Sequence, residues 1–89
     1  MGALFELGEV FGTPAALDLL EEAGIDPASL LGRHQSGDHG DVPEVVARNE
    51  FPVQEGYRIM SAYSVGDEHV WIITEGDRST TTILLPEEY

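Results

Sequence analysis

The clearest pattern of apolar and polar positions lies in residues 57–89, where three β-rich runs are separated by two short polar turns. The runs read Y-R-I-M-S-A-Y-S-V, H-V-W-I-I-T-E and S-T-T-T-I-L-L-P, and the turns between them are G-D-E and G-D-R. β-branched and aromatic residues dominate the runs, which suits a pleated, half-buried surface. A link of two or three residues can join only antiparallel neighbours, so the pattern predicts an antiparallel meander. In the first run Tyr57, Ile59, Ser61, Tyr63 and Val65 share one face. The second run is apolar on both sides, around Val70, Ile72, Trp71 and Ile73, and reads as a central strand covered on both faces. The Thr-rich start of the third run reads as partly exposed, and Pro86 ends it.

The pattern changes period upstream. Thr13 can cap a helix and Pro14 suits its first position, with Ala16, Leu17, Leu19, Leu20 and Ala23 on one apolar side and Gly24 as the stop. Asp26 and Pro27 repeat that grammar for a second helix carrying Ala28, Leu30 and Leu31, which ends near Arg33-His34. Residues 35–43 form the most polar loop, and V-P-E-V-V-A-R-N-E-F at 42–51 reads as a third helix stopped by Pro52. Residues 1–12 read as an edge strand or an irregular lead-in packed on the sheet, with Glu6 and Glu9 facing water. The prediction is therefore one α+β domain over residues 1–89: two or three short N-terminal helices packed on a C-terminal antiparallel β-meander of three to four strands. Trp71, Ile73, Ile59, Tyr63, Ile83, Leu85, Leu17 and Leu20 are the core candidates.

Length and composition narrow the picture. Eighty-nine residues suffice for one core, since domains of ~60 residues can fold alone. There is no cysteine, so neither a disulfide nor a thiolate metal site assists. No basic segment precedes an apolar run at the start, and no run approaches a membrane span, so a cytoplasmic protein without a membrane partner is expected. Charge adds the most: seventeen Asp and Glu against four arginines and no lysine give a net charge of −13. Such a surface repels nucleic acid, whose binding depends on Lys and Arg, and attracts basic proteins. Its carboxylates are spread over every element rather than gathered in a tail. They serve either solubility alone or imitation of a nucleic acid.

Two constellations carry candidate chemistry. Residues 33–41 hold two imidazoles and two carboxylates, groups that can ligate zinc, but His34 and His39 lack the helical i, i+4 spacing. The simpler assignment puts His34 at a helix C-cap and Asp38 and Asp41 in turn and cap hydrogen bonds, with no metal and no cofactor. The second constellation is Asp77-Arg78 followed by Ser79, Thr80, Thr81 and Thr82. Arginine beside hydroxyls can hold a phosphate, and with His34 as general acid or base it would make a small RNase-like site of His34, Arg78, Ser79 and Thr81. The simpler assignment is a hairpin turn with Arg78 paired to Asp77, Glu75 or Asp38.

Four segments together resemble a family of small, mostly uncharacterised acidic proteins carried by bacterial plasmids, integrative elements and prophages. They are L-L-E-E-A-G at 19–24, R-H-Q-S-G-D-H-G-D at 33–41, I-M-S-A-Y at 59–63 and W-I-I-T-E-G-D-R-S-T-T-T-I-L-L-P-E-E-Y at 71–89. The family loop reads R-H-x-x-G-D-W-G, and His39 stands here where tryptophan is usual. Matching positions are Arg33, His34, Gly37, Asp38, Arg78, Ser79 and Thr81. The resemblance implies a mobile-element setting, in which small acidic proteins inhibit host restriction or CRISPR defence. The leading expectation is a non-enzymatic inhibitor that presents Glu21, Glu22, Asp38, Asp41, Glu44, Asp67, Glu68 and Asp77 to a basic nucleic-acid-binding protein. The alternative is the RNase or toxin-like enzyme. A third reading is a homodimer formed by edge pairing of the Thr-rich run.

Overall fold

A computed structural model describes residues 5–40 and 58–89. The first helix, α1, spans Pro14–Ala23. The Thr13 hydroxyl accepts from the Ala16 N–H at 3.2 Å, Pro14 opens the helix and Gly24 closes it. The second helix, α2, spans Pro27–Gln35, with the Asp26 carboxylate accepting from the Ala28 N–H at 3.0 Å. Both predicted starts are therefore observed. The proposed third helix lies outside the described residues.

Strands β2 (Ile59–Val65), β3 (Glu68–Thr74) and β4 (Thr80–Leu84) form the predicted antiparallel meander. Val65 pairs with Glu68 across the Gly66-Asp67 turn, a two-residue hairpin. A further strand, β1 (Glu9–Gly12), corrects the purely antiparallel reading. It pairs with β4 in parallel, Val10 beside Thr81 and Gly12 beside Ile83, and the sheet order is β1-β4-β3-β2. The sheet is mixed. β1 and β4 are far apart in sequence, so no turn length constrains their direction. β4 has neighbours on both sides, which removes the free edge that the third run would need for dimer pairing.

Two faces follow from the register. Ser61, Tyr63 and Val65 of β2 align with Ile72, Val70 and Glu68 of β3, and Ile72 and Thr74 align with Ile83 and Thr81 of β4. The helices cover this face: Ala16, Leu20 and Leu30 pack with Tyr63, Val65, Val70, Ile72, Ile83 and Leu85. Burying such side chains contributes roughly 1.5–3 kcal/mol each. On the other face Ala62, Ile73 and Leu84 are buried, and Trp71 meets Tyr89 edge to face at 5.4 Å. A 3-10 turn, Pro86–Glu88, ends the chain and places that tyrosine. Trp71 is thus half-buried rather than central. Leu17 is also not a core residue: it is 39% exposed, lying over Gly12 at the narrow β1 edge. The Thr-rich start is less exposed than expected, because Thr81 faces the helices and is fully buried.

Candidate functional site

His34 lies in the last turn of α2, four residues after buried Leu30, and is itself fully buried. It does not cap the helix; Ser36 does. Its Nδ1 is 2.6 Å from the Ser61 hydroxyl and its Nε2 is 2.9 Å from the Thr74 hydroxyl. Thr74 and Thr81 hydroxyls are 2.7 Å apart, and Thr81 donates to the Leu7 carbonyl at 2.7 Å. The carbonyl fixes the direction of the whole chain. Thr81 spends its proton on Leu7, so Thr74 donates to Thr81, and Thr74 therefore accepts from His34 Nε2–H. A neutral His34 then accepts at Nδ1 from Ser61, and Ser61 accepts from His39 Nδ1–H at 2.8 Å. The bare Nε2 of His39 is buried and finds no hydrogen-bond partner among the described residues. Burial, with a smaller effect from His39, pushes the His34 pKa down to about 3. Burial lowers that of His39 as well.

The loop after α2 is fastened to β2 by the motif residues. Arg33 pairs with Asp38 at 2.7 Å, and its guanidinium lies 4.5 Å over the Tyr63 ring. That pair is half-exposed, so solvent screening leaves it little weight in stability. The Arg33 hydrogen bond holds the Asp38 carboxyl below its usual range. Tyr63 donates to the Asp38 carbonyl at 2.6 Å, and Ala62 N–H donates to the His39 carbonyl at 3.0 Å. Gly40 bridges Ala62 with φ 67°, where a Cβ would run into the Ala62 carbonyl oxygen and sit 2.8 Å from the Tyr63 ring. Only glycine fits there.

Arg78 takes a left-handed φ of 61° in the β3–β4 turn, and its guanidinium donates to the Glu75 and Gly76 carbonyls at 3.1 and 3.0 Å. Phe5 contacts both members of the proposed catalytic pair, with its ring 5.1 Å from His34 and 5.7 Å from the Arg78 guanidinium carbon. Ser79 donates to Asp77 through both its N–H and its hydroxyl, which holds the Asp77 carboxyl below its usual range. Thr81 is inside the hydroxyl chain. Of the RNase-like set, His34 and Arg78 thus share Phe5 as a neighbour, and His34 and Thr81 are sealed from solvent.

The carboxylates divide differently. Glu22, Asp67 and Glu68 converge on a shallow groove of about 290 Å³ between the end of α1 and the β2–β3 turn. Leu19, Ala23, Val65 and Gly66 also line it, and among the described residues its lining holds no basic side chain. No basic residue stands in the last turn of α1 either, so the negative end of the helix dipole adds to the three carboxylates. Glu21 is exposed on the same helical turn. Asp38 and Asp77 are engaged elsewhere, and Asp41 and Glu44 lie outside the described residues. Among the described residues no cluster of His, Cys, Asp and Glu could hold a metal, and no helix is long and apolar enough to cross a membrane.

Sequence reasoning missed Ser61 and Thr74. Their signal was a hydroxyl on the inward face of an otherwise apolar strand, beside Ile59 and Tyr63 in one case and Val70 and Ile72 in the other. Comparisons with protein-family models, with curated proteins and with solved structures find no match for this chain.

Proposed function

We propose that this protein is a binding protein that presents a rigid acidic surface to a basic, nucleic-acid-binding protein and so blocks its access to DNA or RNA. The observation that carries this reading is the convergence of Glu22, Asp67 and Glu68 around one groove, on a chain whose net charge is −13. Carboxylates fixed on a helix end and a tight hairpin keep their spacing, as an imitation of fixed phosphates requires. The arginines among the described residues do not offset them. Arg33 pairs with Asp38, Arg58 lies 3.5 Å from Glu75, and Arg78 is folded onto backbone carbonyls. The resemblance to mobile-element proteins makes a restriction or CRISPR effector the natural class of target. The RNase-like alternative would require His34 to open to solvent, and both of its ring nitrogens are engaged inside the fold.

The test is capture from a bacterial lysate at low and high salt, with the retained proteins identified by mass spectrometry. A nucleic-acid-binding protein retained at low salt, released at high salt and lost to the Glu22→Gln, Asp67→Asn, Glu68→Gln triple variant is the expected result. Capture that ignores both salt and those substitutions would exclude the mimic.

A further inference from the structure

Backbone direction singles out the outer edge of β1. Glu9 N–H donates to the Ser79 carbonyl at 3.0 Å and Thr13 N–H donates to the Ile83 carbonyl at 2.9 Å. In a parallel pair alternate residues face the same neighbour, so the peptide groups of Glu9 and Phe11 face β4. Those of Val10 and Gly12 face outward. The sheet order ends at β1, and among the described residues nothing pairs with that side.

The side chains make the edge adhesive on both faces. Val10 is 44% exposed and shares the helix-covered face with Gly12, over which Leu17 lies. Phe11 is 51% exposed on the opposite face. These three account for most of the large exposed hydrophobics among the described residues, the other being Tyr89. Single exposed apolar residues need no explanation, but a cluster around unpaired backbone does.

Charge selects the occupant. Glu6 and Glu9 are exposed along the approach to the strand, and Glu88 is tied to Thr13 at its far end by a 2.7 Å hydrogen bond. A second copy would bring the same carboxylates and another net charge of −13 against them. A strand bearing Lys or Arg around β-branched residues complements both features. We propose that the β1 edge docks an extended basic segment of another protein, which adds to the sheet as a strand. Alternate residues of that segment would lie on Val10 and Leu17 above the sheet and on Phe11 below it. This mode does not depend on imitation of a nucleic acid.

A suitable probe is a synthetic acetylated peptide of sequence R-K-V-I-V-K-R, followed by amide hydrogen exchange and isothermal titration. The peptide should slow exchange at the Val10 and Gly12 amides. The same peptide N-methylated at alternate backbone amides keeps every charge and side chain and should lose that protection. Val10→Pro, which removes an outward donor at a strand edge, should weaken binding about 2- to 10-fold, and Phe11→Ser about 10-fold. Unfolding midpoints check that both variants remain folded. Equal binding of the methylated peptide would reduce the effect to charge attraction and overturn the proposal. Binding that protects only the Glu22–Glu68 groove would overturn it as well. So would a dimer in sedimentation with these amides already protected, since a second copy would then own the edge.

Discussion

An imidazole with a hydroxyl on each nitrogen and no contact with solvent is held neutral. His34 titrates near 3 in the fold, whereas an unfolded histidine titrates at about 6.5. Between those values the unfolded chain binds the proton and the folded chain does not. The stability from neutral His34 is therefore complete above about pH 6.5 and is lost as pH falls, by up to ~1.4 kcal/mol per unit. Burial of His39 acts in the same direction. The carboxyls of Asp38, Asp77 and Glu88 are also depressed, and their contribution disappears only at more acidic pH. Urea unfolding should give about 2 kcal/mol less stability at about pH 5 than at about pH 7 from His34 alone, and His34→Gln should flatten that slope. A profile unchanged by the substitution would contradict the neutral, buried histidine. The hydroxyl chain makes a second prediction. Thr81→Val leaves the Leu7 carbonyl without its donor and Thr74 without its acceptor, and should cost about 1–3 kcal/mol. Nitrogen-15 spectra of the imidazoles should show Nε2–H for His34 and Nδ1–H for His39; the opposite tautomers would mean that the chain does not run towards Leu7.

At the level of elements, what could be read was what local chemistry determines. Thr13-Pro14 and Asp26-Pro27 announce helix starts because a cap and a pre-set φ act within one turn. Thr13→Ala should cost about 1 kcal/mol, read as a lowered denaturation midpoint, since the threonine caps α1 and also donates to Glu88. Strands β2 to β4 were legible because hairpins fix their neighbours and direction. β1 was legible as a candidate strand, but its partner was not, because alternation says nothing about which distant strand completes the ladder. His34 was misread for a specific reason. A basic residue in a last helical turn suits the dipole, yet its i, i+4 relation to Leu30 places it on the buried stripe. The groove of Glu22, Asp67 and Glu68 could not be read at all, since it exists only once α1 ends beside the β2–β3 hairpin.

At the scale of the molecule, a net charge of −13 opposes compaction while it favours encounter with basic partners. Added salt should raise the thermal midpoint of the free protein and weaken any complex made through its carboxylates, so the two effects of one variable have opposite signs. A different consequence comes from the union of β1 with β4. Their ladder joins Glu9 to Thr80, and the Thr81–Leu7 bond spans 74 residues of sequence. Closing so long a loop is entropically costly until the rest of the sheet can hold the ends together. β1 should therefore dock after the transition state for folding. Conservative truncations such as Val10→Ala should leave the folding rate nearly unchanged and accelerate unfolding, a φ-value near zero in a chevron experiment. The strand that holds Val10 and Phe11 out to solvent would then be the last piece to close and the first to peel away.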